Sequence, residues 1–587
     1  MKIIRLFIGI VGVMLLVDIS CFGAYLTNIP IQITQPNGDT LTIYASGDEY
    51  YNWLHDINGY TVVQDDMGYY VYAQYNEKGN DIKASAYIVG KCNPQEVGLQ
   101  PNIACRREII NNIIENAEFN SSDIKGNGYI YPTTGTINNI VIYIRFADQT
   151  EFTDSQSKYT NMFNNSATGA NSVYNYFKET SNNKLTVNSS FYPTNNGSSI
   201  LSYQDIYTRN YYCKYSSSNP IGYTDDNKNE RLDSLLLRAI NFVKNQIDTT
   251  IDYDTNNDTY VDNISFIIRG GNNGWNTILW PQVRFLFATL KISNYNIRDI
   301  TLYVEQNINQ KGVGLLCHEI GHVLGAPDLY HHYDQNHHPV GYWDIMAIET
   351  NPPQYMNTGI RCYIYHWIDS IPEITTSGTY TLNPVTSSIN NCYKISIKNT
   401  SDFLLLEYRK RNGTFETQIP NEGLLIYRIH LTSGGNFQGN IYGTGYGGVS
   451  TGIYVYRKDG TINEAGDSVN AVFSSNSGRT RFSSNSNPRA FMYDSTIANV
   501  LIKDVSSVGE TISFYVKFCD GKDITYSNTN NLPNCTNASN TISTNGNVIV
   551  KNTDNVLFEA RNSVLLNKNF TVNLGGQFEI NMDGCFE

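Results

Sequence analysis

The chemistry-bearing stretch of this chain runs from Val313 to Asp328, VGLLCHEIGHVLGAPD. It contains a complete HExxH: His318, Glu319 and His322. Positions i and i+4 of a helix lie on one face a turn apart, so the two imidazoles can converge on one metal ion. Glu319 stands beside them, where it can take a proton from water at that metal. The plainer reading is a buried helix whose His and Glu only satisfy one another. The continuation argues against it. Gly325 can adopt the left-handed conformation that ends a helix and turns the chain. Pro327 then prevents the helix from resuming, and Asp328 comes round as a third ligand. Three protein ligands with one open position is the set a catalytic zinc ion requires.

Other groups compete for attention. The segment DYDTNNDTYVDN alternates Asp252, Asp254, Asn256 and Asp258, with Asp262 four residues on. Alternating oxygen ligands closed by a carboxylate can wrap a calcium ion, although the usual glycine is missing. A solvated Asn/Asp turn is the even alternative. His331, His332, His337 and His338 follow the metal stretch in a polar loop and are expected to face solvent. Glu349 is the oxygen that competes with Asp328 as third metal ligand. Met346, eighteen residues after Asp328, lies where an apolar floor beneath the metal would fall.

These residues need elements to hold them. The apolar run Val313, Leu315, Leu316 and Cys317 predicts a helix buried inside a domain. Ile140–Phe146 and Ile264–Ile268 read as strands of a covered sheet. Val173–Glu179 predicts a helix with Tyr174 and Phe177 facing inward. A longer amphipathic helix over 230–246 carries Leu232, Leu235, Leu236, Ala239, Ile240 and Val243 on one side.

The chain has 587 residues, too many for one core, and a formal charge of −13. That balance, with no basic run, argues against a nucleic-acid partner. Charged residues are only 16% and tyrosines number 44, which favours short strands and long loops. Residues 1–23 read as a signal peptide: Lys2 and Arg5, then an apolar run over Leu6–Val17, then a small-residue exit. Cys21 as a lipidated N-terminus is the alternative. The run is too short to span a bilayer, and no later segment approaches the length. Residues 24–130 form a β-rich unit and a polar linker with a short helical stretch over 106–116. The catalytic part is 131–374. A β-sandwich without a titratable cluster is expected over 375–518, and a small β module over 519–587. Cys317, against the metal ligand, is the expected free thiol, and Cys92 with Cys105 the easiest local pair.

The stretches HEIGHVLGAPDLY and GYWDIM resemble the immune inhibitor A-type metallopeptidases, secreted bacterial relatives of the metzincins. Further segments are similar: NIVIYIRFAD (139–148), YFKETSNNKLTV (176–187), Val261-Asp262, ILWP (278–281), FLLLEYRKRNG and GLLIYRIH. The resemblance spans about 29–430. It implies an α/β (α+β) metzincin-like catalytic domain with an N-terminal β-rich propeptide and C-terminal all-β domains. It implies zinc held by His318, His322 and Asp328, Glu319 as general base, Gly325 at the turn and Met346 as a Met-turn. An aspartate in the third place departs from most metzincins. The expected activity is endopeptidase cleavage of proteins by a secreted or surface-located enzyme made as a zymogen. A propeptide carboxylate or Cys92 would mask the zinc. The C-terminal module would serve surface retention. The competing class is a surface-attached binding protein that keeps a peptidase fold, against which an intact Glu319 argues. A hydrolase of non-peptide bonds has no supporting motif.

Overall fold

The computed structural model describes residues 21–22, 26–47, 52–76, 81–103, 131–195, 197–217, 219–271, 278–286, 289–331, 338–398, 400–432, 451–498, 500–518 and 521–582. The expected signal segment up to Ser20, the helix over 106–116, Cys105, His332 and His337 lie outside these residues. No helix among them is long and apolar enough to cross a membrane.

The molecule is a mixed α/β structure with many strands and few helices. Its central sheet has Ile264–Ile268 between Gly135–Arg145 and Asp299–Val304, all three parallel. Every residue of Ile264–Ile268 is buried, as a strand covered on both faces requires. Leu185–Tyr192 and Tyr203–Gln204 also run parallel to Gly135–Arg145, while Gln282–Phe285 closes the other side antiparallel. Cys21–Phe22 pairs with that last strand.

Helices cover both faces. Lys228–Val243 buries the six expected apolar residues, Leu232 to Val243, against the face carrying Ile140, Ile142 and Phe266. The opposite face, with Val141 and Tyr143, packs against Val173–Thr180 and the metal-stretch helix Val313–Val323. In Val173–Thr180 the inward aromatics are Tyr176 and Phe177, whereas Tyr174 is half-exposed. The correction has a simple cause: Val173, Tyr176, Phe177 and Thr180 follow the i, i+3, i+4, i+7 rule, and Tyr174 falls outside it.

The strands from Leu26–Thr34 to Ile82–Ile88 make a six-stranded antiparallel meander. Its apolar face, with Ile31, Ile43 and Val62, encloses Trp280. Downstream, the four-stranded sheet built on Asp402–Arg409 and Gly423–His430 has both faces covered. Leu404, Leu406 and Leu424 meet a three-stranded sheet of Gly378–Leu382, Val500–Lys503 and Ile512–Phe518. Phe403, Leu405, Leu425 and Tyr427 join the cluster that contains the helix Val313–Val323. One apolar core therefore runs across position 374. From Gly521 on, the strands pair in parallel, Gly521 with Ala538, Cys535 with Leu557 and Asn555 with Gln577, so successive rungs stack on one another.

Candidate metal centre

The helix Val313–Val323 is buried along its whole length. It places the Nε2 atoms of His318 and His322 3.1 Å apart. Gly325 follows with φ +100°, and a β-carbon there would also meet the Tyr131 ring at 3.0 Å. This turn brings Asp328 back, with Oδ1 3.3 Å from each Nε2. The Leu329 N–H donates to the Met346 carbonyl at 2.8 Å and pins the returning chain.

Each imidazole is oriented from behind. His318 Nδ1 lies 2.8 Å from the Ile345 carbonyl, and His322 Nδ1 lies 2.8 Å from the Ala326 carbonyl. A carbonyl accepts only, so both Nδ1 atoms donate and both Nε2 lone pairs face inward. Three electron-pair donors then meet with nothing to separate them unless a cation sits between. A proton is one such cation. Burial opposes charge on His318, but the Asp328 carboxylate outweighs it and raises that imidazole to about 9. Burial holds His322 below its ordinary value. Burial also works against the Asp328 charge, yet the two imidazoles keep its carboxyl below the usual range. A metal ion is the better fit. Ligands about 2.0–2.1 Å from a tetrahedral zinc ion stand roughly 3.3 Å apart, which matches the observed triangle. These three residues form the only cluster of this kind among the described residues.

Glu319 is fully buried on the same helix, next to His318. Met346, the residue expected to form an apolar floor, is fully buried with its sulfur against the helix at Gly321. The sequence reading missed Gly321, which makes that floor possible: a β-carbon there would lie 2.8 Å from Met346 Sδ. A glycine inside a helix costs about 1 kcal/mol relative to alanine, and that cost was the available signal. Cys317 is a free, buried thiol whose pKa burial raises well above normal.

Other sequence candidates fall elsewhere. Glu349 is buried but pairs with Lys311 Nζ at 3.1 Å and is not part of the ligand triangle. His331 is buried, contrary to the solvent-facing expectation, and sits 3.5 Å from Thr451 Oγ1; His338 is half-buried. The polar composition of the loop hid this, because Thr451 lies far along the chain.

The Asp/Asn loop is held by its own donors together with Arg298 and Tyr295. Asp254 accepts from the N–H groups of Asp258 and Thr259, and Asp252 accepts from that of Asp254. Asn256 accepts from the Asp258 N–H. Asp262 accepts from Thr255 N–H and Oγ1, and Asp258 pairs with Arg298 at 2.6 Å. Burial, with Asp254 and Asp258 nearby, raises the Asp262 carboxyl to about 7.

The expectation of no titratable cluster downstream is also corrected. Glu407, Arg409 and Glu416 are all fully buried together. Charged residues inside the apolar run FLLLEYR were the visible sign.

A buried helix bearing two imidazoles and a carboxylate, with a second carboxylate returned by a glycine turn, has the parts of a metallopeptidase. Residues 290–351 match the family model described as the immune inhibitor A peptidase M6 catalytic domain. The resemblance to immune inhibitor A-type metallopeptidases therefore holds over the stretch that carries the site. No curated protein matches the chain.

Proposed function

We propose that the chain is a zinc-dependent endopeptidase of metzincin-like design, exported and made as a latent zymogen. The observation that carries this reading is the near-equilateral triangle of His318 Nε2, His322 Nε2 and Asp328 Oδ1, with Glu319 on the same helix. Those three side chains would hold the metal. Zinc, when bound there, supplies a Lewis acid that polarises a peptide carbonyl and acidifies water. Glu319 accepts the proton of the attacking water and passes it to the leaving amine, the general-base and general-acid role open to a carboxylate at this position. The carbonyls of Ile345 and Ala326 keep both imidazoles turned to the site. Protein or peptide chains are the substrates.

In this reading residues 1–23 direct export, 24–130 form the propeptide, 131–374 the catalytic domain, 375–518 a β-sandwich and 519–587 a small β module. The burial of Trp280 in the core of the N-terminal meander supports a propeptide clamped onto the catalytic part. The direct test is casein cleavage by the purified protein. A chelator should abolish it and added zinc restore it; chelator-resistant cleavage, or none under any activation, would overturn the reading.

A further inference from the structure

The strand Asp402–Arg409 is buried throughout, yet carries Glu407 and Arg409 in an apolar run. Buried charges are costly unless well partnered, so their partners indicate what they do. Arg409 grips Glu416 as a fork, Nε to Oε2 at 2.8 Å and Nη2 to Oε1 at 2.5 Å. Arg409 Nη1 also donates to the Tyr427 hydroxyl of the neighbouring strand at 2.9 Å, and further contacts leave the sheet. Arg409 Nη1 donates to the Trp343 carbonyl at 2.7 Å. Glu416 Oε1 accepts from the Tyr355 N–H at 3.0 Å, and Glu407 Oε1 from the Thr358 N–H at 2.5 Å. Trp343 and Tyr355 bracket the turn that holds Met346. Inside it, Asp344 accepts from the N–H groups of Met346 at 2.9 Å and Asn357 at 2.7 Å. Between Asp344 and Met346 lies Ile345, whose carbonyl receives His318 Nδ1.

We propose that the Arg409–Glu416 pair is a positioning device for the metal ligand His318, acting through the Ile345 carbonyl. The proposal rests on the metallopeptidase reading above. A carbonyl that orients a ligand must be held to a few tenths of an ångström by groups whose own places are fixed. A turn of loop backbone does not supply that. An ion pair that ties Arg409 of a covered strand to Glu416 in the buried turn after it does, and it holds the chain two residues before Ile345. The β-rich half is thereby part of the site's support, although the three residues around the metal position, His318, His322 and Asp328, all precede it.

A pair that merely filled the core would behave differently, because apolar replacement of a buried ion pair often leaves stability unchanged or improved. The test uses the full chain with Arg409→Lys, which keeps the charge and loses the fork, and the double variant Arg409→Met with Glu416→Leu. Zinc affinity is read by competition with a chromophoric chelator, the ligand field by the absorption of the cobalt-substituted protein, and kcat and KM on a peptide substrate. Expected are zinc affinity 10–100-fold weaker, a shifted cobalt spectrum, and lower kcat with KM little changed. Wild-type zinc affinity and kcat in either folded variant would overturn the proposal, whatever its melting temperature. If the double variant fails to fold, Arg409→Lys decides; failure of both to fold would assign the pair a purely structural role. Zinc binding by the unaltered chain and its loss in His318→Ala test the metallopeptidase reading separately, so either can fail alone.

Discussion

Gly321 and Met346 occupy one space: a β-carbon on the glycine would lie 2.8 Å from the methionine sulfur. The metal helix can lie this close to its floor only because residue 321 has no side chain. Gly321→Ala should therefore destabilise the protein even though alanine is the better helix former. Propensity returns about 1 kcal/mol, while overpacking a tight core costs about 1–3 kcal/mol. Displacing Met346 also disturbs Ile345 and so weakens zinc binding. Urea unfolding with zinc titration checks both effects; a more stable variant with unaltered affinity would contradict the packing argument.

Asp328 and Glu349 were the two candidates for third ligand, and the geometry separates them. Asp328→Ala should lower zinc affinity more than about a hundredfold, beyond the loss expected for an outer partner. Glu349→Gln should retain a full equivalent of zinc, because Glu349 is committed to Lys311. Metal content after dialysis distinguishes them, and the reverse pattern would move the third ligand to Glu349.

The acidic loop gives a pH signature. The folded-state pKa of Asp262 is raised to about 7, with burial the main cause. A carboxyl raised on folding binds its proton more tightly in the native state, so stability falls as pH rises from about 4 through about 7. Asp262→Asn should then raise the melting temperature at pH 8 and leave it little changed at pH 4. If calcium binds this loop, added calcium should stabilise the parent protein at pH 8 and not the variant. Equal pH profiles for parent and variant would remove Asp262 from the account.

Cutting the chain after residue 374 should not release a folded catalytic domain. Phe403, Leu405, Leu425 and Tyr427 belong to the same apolar cluster as Leu315 and Leu316 of the metal helix. A fragment ending at 374 would expose that face and is expected to be insoluble or to lack a cooperative thermal transition. A soluble fragment with full zinc affinity would show that the downstream sheet is dispensable.

Much of the site was legible in the chain because its parts are close in sequence. His318, His322, Gly325 and Asp328 fall within three turns of backbone, and helix periodicity with one glycine turn suffices to bring them together. The apolar strands and the stripe of the long helix were readable for the same reason: burial repeats with the period of the element. What escaped depends on distant pairing. Nothing local to Arg409 reveals that it reaches the Trp343 carbonyl, and nothing local to His331 reveals Thr451 beside it. Gly321 was visible as an oddity within a helix, but its reason is Met346, twenty-five residues away. The Asp/Asn loop was legible as a turn, and alternation alone could not tell whether its carboxylates aim at a cation or at backbone N–H groups.

The central claim is that Glu319 moves the proton while His318, His322 and Asp328 hold the metal. Glu319→Gln tests it most directly, since the amide keeps the shape and loses the basicity. Zinc content and casein cleavage are measured on the same preparation. The expected result is a full equivalent of zinc with turnover reduced by about 10²–10⁴-fold. Undiminished zinc-dependent cleavage by this variant would contradict the assignment.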